Sequence, residues 1–222
     1  MKRPGKKDQA APTLDLSQAT ALTHRVAAML LEYPTDELVA QVPALSAVVA
    51  QLPDRSRIPL AGLLEHLEST PLRELTADYV ETFDLRRKVC LYLTYYAYGD
   101  TRERGMALLA FKRAYRAAGL EVSPDELPDH LCVVLEYSAT GDVEGGTKLL
   151  LEHRAGLELL RLALLDRGSP WAGALVAVCS TLPELRGDER EAVAKLAAEG
   201  PPGESVGLEP YGAAAMMTGT KR

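Results

Sequence analysis

Apolar residues recur every three or four positions along almost the whole chain, the period of helices packed on one side. Between residues 17 and 33 they fall at Ala21, Leu22, Val26, Met29, Leu30 and Tyr33, a stripe that predicts a helix. Pro34 should stop it, and Thr35 should cap the next, with Asp36 and Glu37 in the favourable first turn. Thr70-Pro71 reads as an N-cap followed by proline at the first helical position. Asp100 and Glu103 are spaced as a capping box for a helix ending near Gly119, and Ser123-Pro124-Asp125-Glu126 repeats the device for a helix from Pro124 to Thr140. Leu149, Leu150, Leu157, Leu160 and Leu164 predict one long core helix from Gly146 to Leu165, with shorter helices near 169–181 and 188–198. Cys90 to Tyr98 is rich in strand formers, but nothing else in the chain reads as a partner strand, so it is expected to be helix, or a loop running into one.

These elements predict an all-α, single-domain bundle of about ten helices over residues 15–198. A basic tail (1–14) and a Gly- and Pro-containing tail (199–222) should flank it loosely.

Composition narrows the function. The 222 residues are 47% hydrophobic and 25% charged, ordinary for a globular domain, and the net charge of −6 argues against nucleic-acid binding. The three cysteines, Cys90, Cys132 and Cys179, form no C-x-x-C pair, which suits free thiols in a reducing compartment. The basic start lacks the apolar core of a secretory signal, and no apolar run approaches the roughly 20 residues that span a bilayer. A cytoplasmic protein without membrane insertion is expected.

Enzyme signatures are missing. There is no Gly-rich phosphate loop, no G-x-S-x-G and no H-E-x-x-H, and His24, His66, His130 and His153 share no ligand spacing. No catalytic residue, metal or cofactor is expected, and His153, on the leucine stripe, reads as a core histidine. Two segments look built for contact. From Pro71 to Asp84, Leu72, Leu75, Tyr79 and Phe83 share one helix face, while Glu74, Asp78 and Glu81 share the other. That acidic face is either solvated or a wall for a basic partner. In the 124–140 segment, Leu127, Leu131, Val134 and Leu135 form a core stripe, and Asp129 and Glu136 lie on a second side that Cys132 and Val133 also make apolar. Buried carboxylates are costly unless paired. Either both are salt-bridged within the fold, or this side lines a groove for a peptide with basic and apolar residues.

The runs Tyr79-Val-Glu-Thr-Phe-Asp84, Leu91-Tyr-Leu-Thr-Tyr95 and Gly99-Asp-Thr-Arg-Glu-Arg-Gly105 resemble the nitrate reductase molybdenum cofactor assembly chaperones, the delta subunit family. Glu126-Leu-Pro-Asp-His-Leu131, His153-Arg-Ala-Gly-Leu157 and Val206-Gly-Leu-Glu-Pro-Tyr211 continue the likeness, which spans about residues 20 to 211. Pro128-Asp129-His130 matches an element of the wider all-helical chaperones of molybdenum enzymes, whereas Thr82 stands where that group carries leucine. The resemblance implies an assembly chaperone, not an enzyme. Its partner would be the apo-catalytic (alpha) subunit of nitrate reductase, gripped by its N-terminal peptide until the cofactor is inserted and before membrane docking. Asp129, His130, Glu136, Glu74, Asp78, Glu81, Tyr79 and Phe83 are then the expected peptide-binding residues. The alternatives are a chaperone for a dimethyl sulfoxide or trimethylamine oxide reductase, and a helical scaffold subunit.

Overall fold

The computed structural model describes residues 14–85, 89–99, 101–200 and 202. Asp100, the cluster Arg86-Arg87-Lys88 and the Val206–Tyr211 motif lie outside the described residues, as do nearly all of both predicted tails.

Among the described residues there are eleven α-helices and no strand: α1 (Leu16–Leu30), α2 (Asp36–Val49), α3 (Asp54–Ser69), α4 (Leu72–Tyr79), α5 (Leu93–Tyr98), α6 (Arg102–Ala117), α7 (Leu131–Thr140), α8 (Val143–Glu152), α9 (Arg154–Asp166), α10 (Ala172–Thr181) and α11 (Gly187–Glu199). Local chemistry sets several ends. Asp15 and Gln18 close a reciprocal capping box on α1, Thr35 accepts from Leu38 N at 3.2 Å at the start of α2, and Asp142 accepts from Gly145 N at 2.9 Å at the start of α8. Gly119, with φ +76°, ends the α6 segment in the left-handed conformation that glycine adopts without a Cβ clash.

The amphipathic α1 is the hub. It buries Val26, Ala27, Ala28 and Leu30 and packs on α2, α3, α7 and α10. Helix α9 packs on α5, α10 and α11, while α7 and α8 form a hairpin. At the crossing of α3 and α10 the backbones meet closely. A Cβ on Gly173 would lie 2.4 Å from the Pro59 carbonyl oxygen. Gly173→Ala is therefore expected to destabilise the domain by about 1–3 kcal/mol through overpacking, read as a lower thermal midpoint.

Three expectations need correction. The predicted long helix over 146–165 is two helices, broken at His153 (φ −111°, ψ 22°). The break turns Leu149 and Leu150 toward α7 and lets α9 carry Leu157, Leu160 and Leu164 against other partners. His153 itself is half-buried beside Phe111, with ring centroids 5.1 Å apart.

The predicted helix from Pro124 begins only at Leu131, so Leu127 is exposed and Asp129 is not on α7. Pro128 disfavours helical geometry at the residue before it. The segment after Pro128 is also held extended, because Leu93 N donates to Asp129 O at 3.0 Å and Leu131 N to Leu91 O at 2.7 Å. Lastly, Pro71 occupies the N-cap of α4, and Thr70 Oγ1 lies 3.3 Å from His66 Nδ1 instead of capping. The 90–98 segment follows the second of its two expected forms, an irregular run into α5.

Candidate functional site, an acidic and apolar face around α1, α4 and α7

Helix α4 does not stop at Tyr79. It widens into a π-helical turn over Val80–Asp84, a local irregularity frequent at functional sites. The turn buries Tyr79 and Phe83 against Trp171, with ring centroids 5.7 and 5.9 Å away, and Tyr79 Oη donates to Leu31 O at 2.9 Å. Tyr79 and Phe83 are thus the floor of the region. Above them, an open pocket of about 730 Å³ is lined by Tyr33, Thr76, Ala77, Val80, Glu81 and Leu85. Leu85 is 72% and Tyr33 49% exposed, large for apolar side chains, and the Tyr33 ring packs edge-on against Tyr79 with centroids 5.5 Å apart. Glu74, Asp78 and Glu81 are exposed on the solvent side of the same element, and Arg167 Nη2 lies 3.8 Å from Glu81.

A second groove of about 190 Å³ flanks α7, with Leu120, Val122 and Val133 as apolar walls and Glu121, Glu126 and Glu136 as carboxylates. Arg25 of α1 pairs with Glu136. Glu32, at the end of the α1 segment, connects the two regions. Its carboxyl is pushed above the ordinary range, first by burial and then by Glu136 and Glu126, with Arg25 opposing. Burial and then Glu32 raise the Cys132 thiol, and burial followed by Cys132, Asp84 and Glu32 raises the Tyr79 phenol. These groups therefore share one electrostatic neighbourhood, in which Glu126 and Glu136 act on Glu32 and, among the described residues, Arg25 opposes them. A cation arriving there would relieve their repulsion.

Asp129 and His130 lie elsewhere, in a latch between α5 and α7. Asp129 is fully buried. Its Oδ2 accepts from Thr94 N at 3.2 Å and from the Thr94 hydroxyl, and Arg104 Nη2 lies 3.6 Å away. The carboxylate so caps α5 from outside, where Tyr92 makes no side-chain cap. His130 pairs with Tyr92 in an isolated β-bridge, their rings 5.1 Å apart, and Arg104 stacks over the Tyr92 ring at 5.5 Å. Burial lowers the His130 pKa, opposed by Asp129.

The fold thus ion-pairs both carboxylates whose roles the sequence leaves open, Asp129 with Arg104 and Glu136 with Arg25. It joins Glu81, Tyr79 and Phe83 in one region, with Glu136 across α1, and separates them from Asp129 and His130. Sequence reasoning missed Arg25, Glu32, Tyr33, Leu85 and Glu126 as surface partners. Their only sequence signal is weak: a charged and aromatic pair directly before the helix stop at Pro34, and a leucine just past Asp84. No group of His, Cys, Asp and Glu among the described residues could hold a metal ion, and no described helix is long and apolar enough to cross a membrane.

The helical arrangement is similar to that of one solved structure from Archaeoglobus fulgidus, described as a redox enzyme maturation protein, with a TM-score of 0.53 at 17% identity, covering 79% of this chain and 98% of that one. Residues 50–177 match the family described as nitrate reductase delta subunit, and the chain belongs to that family. Among its relatives, the nitrate reductase molybdenum cofactor assembly chaperone NarJ of Bacillus subtilis is 30% identical over 165 residues, 74% of this chain and 90% of that protein. The Escherichia coli chaperone NarJ is 31% identical over 150 residues, 66% and 64% of the two chains. The nitrate reductase-like protein NarX of Mycobacterium tuberculosis is 40% identical over 157 residues, 70% of this chain, but the match spans only 23% of NarX.

Proposed function

We propose that this protein is a cytoplasmic assembly chaperone for nitrate reductase, which grips the N-terminal segment of the apo-catalytic subunit while the molybdenum cofactor is inserted and before the enzyme docks on the membrane. Family membership and the relatives named as assembly chaperones support the class. The observation that carries the peptide grip is the face around Glu32, where burial and then the neighbouring carboxylates of Glu136 and Glu126 raise the Glu32 pKa beside exposed Tyr33 and Leu85. An amphipathic peptide helix would lay apolar residues over Tyr33, Val80 and Leu85, and basic residues against Glu32, Glu126, Glu136 and Glu81. Glu74 and Asp78 extend the same negative field outward. In this reading Tyr79 and Phe83 support the groove from below, and Asp129 and His130 hold the neighbouring frame.

The test is calorimetry with a peptide copied from the N-terminus of the catalytic subunit. Glu32→Gln with Glu126→Gln should weaken binding about tenfold, roughly 1.4 kcal/mol, and Leu85→Ser by a similar factor. All three side chains are exposed, so the thermal midpoint should hold. Binding should also weaken with added salt. Wild-type affinity in all these variants would place the grip on another face. Equal affinity for a dimethyl sulfoxide reductase peptide would remove the client assignment.

A further inference from the structure

On the side formed by α9, α10 and the connection to α11, a pocket of about 560 Å³ carries charge opposite to that of the chain as a whole. Four arginines, Arg55, Arg154, Arg161 and Arg190, line it against two carboxylates, Glu158 and Glu184. Its floor is a triad of the buried Arg154 and Glu158 with the partly exposed Arg161. Arg154 Nη2 approaches Glu158 Oε1 at 2.7 Å, and Arg161 Nε donates to Glu158 Oε2 at 2.7 Å. Both oxygens of Glu158 are thereby engaged.

Donors remain in surplus. Arg154 is only 6% exposed, yet its Nε and Nη1 have no hydrogen-bond partner among the described residues. Buried donors left unpaired are costly, and natural folds keep few of them. At the rim, Arg55 in the first turn of α3 and Arg190 in the first turn of α11 are exposed, and neither has an ion-pair partner among the described residues. Like-charged guanidinium groups gathered around one hollow repel each other unless an anion joins them.

We propose that this pocket is an oxyanion site that binds a phosphate or diphosphate group. Guanidinium forks match phosphate oxygens two at a time and stay charged at any physiological pH. Arg55 and Arg190 supply the outer contacts, and the Arg154–Glu158–Arg161 triad fixes the floor. Cys179 also lines the pocket, but burial and then Glu158 push its thiol up to about 12 against the pull of Arg154 and Arg161. It stays a neutral thiol rather than a nucleophile, so the site binds without covalent chemistry. The site lies apart from the peptide face, and neither proposal depends on the other.

The experiment is calorimetric titration of the full chain with sodium pyrophosphate and, separately, orthophosphate in chloride buffer. Pyrophosphate should bind one per chain, more tightly than orthophosphate, and weaken steeply as chloride rises. The double variant Arg55→Gln, Arg190→Gln should lose at least tenfold in affinity while its ligand-free thermal midpoint and client-peptide binding stay unchanged. No saturable heat at millimolar pyrophosphate, or full affinity in the double variant, overturns the proposal. So does binding of a glutamate-rich peptide through these arginines with pyrophosphate ignored, which would make the pocket a protein contact.

Discussion

Asp129→Ala is expected to destabilise the domain by about 3–5 kcal/mol, the range for removing one partner of a buried ion pair. The carboxylate is fully buried and serves three groups at once. It accepts from Thr94 N at 3.2 Å and from the Thr94 hydroxyl, and it balances Arg104, whose side chain is itself largely buried. Deleting it takes the carboxylate from a helix-start N–H and from the Arg104 guanidinium, and each loses a charge-assisted partner. Asp129→Asn keeps an acceptor for Thr94 but not the charge, so it should cost less, about 1–3 kcal/mol. Urea denaturation midpoints, with the slope unchanged, measure both values. Peptide affinity of the folded fraction should hold in the Asn variant. An Asn variant as stable as the wild type that has lost its peptide would instead make Asp129 a direct contact.

Acid is the second lever, acting through His24. The ring is fully buried, with Nδ1 2.8 Å from Ser138 Oγ and Nε2 2.9 Å from Thr181 Oγ1, and so ties α1 to α7 and α10. Burial lowers its pKa from 6.5 to about 4. Above pH 6.5 the ring is neutral whether the chain is folded or not, and this group adds no pH dependence. Between 6.5 and 4 the unfolded chain takes up a proton that the folded one refuses, so stability falls as pH falls. The slope approaches 1.4 kcal/mol per pH unit and the loss reaches about 3 kcal/mol near pH 4. His130 and His153, also lowered by burial with carboxylates opposing, act in the same direction. Denaturant melts of the wild type and of His24→Gln from pH 7.5 to 4.5 isolate the part due to His24. The variant should be weaker at neutral pH and flatter toward acid. Parallel curves would show that His24 is protonated without strain.

The latch and the buried histidine mark where reading the chain in order runs out. Helix starts and stops were legible where they depend on neighbours within four residues, because capping and proline sterics are local. Thr35 caps α2, Gly119 turns the chain with φ +76°, and Leu75, Tyr79 and Phe83 face inward while Glu74, Asp78 and Glu81 face out. The all-helical class followed from the same periodicity. Local signals misled where distant partners compete for the backbone. Ser123-Pro124-Asp125-Glu126 looks like a helix start, but the hydrogen bonds from Leu93 and Leu131 hold the residues after Pro128 extended. The leucine stripe over 146–165 predicted one helix, but two packing partners divide it at His153.

The chemistry-bearing residues divide in the same way. The sequence by itself determined which carboxylates, aromatics and arginines were available, and through its motifs it pointed to the family. It could not determine which of them meet. Glu32 and Glu136 come together across 104 residues of chain, Asp129 finds Thr94 and Arg104, and Arg55 joins Arg154 and Arg190. The packing of α1 against α7, of α5 against α6, of α10 against α3 and α9, and of α11 against α9 makes those encounters. Burial and through-space charge depend on where side chains sit after folding rather than on their spacing along the chain.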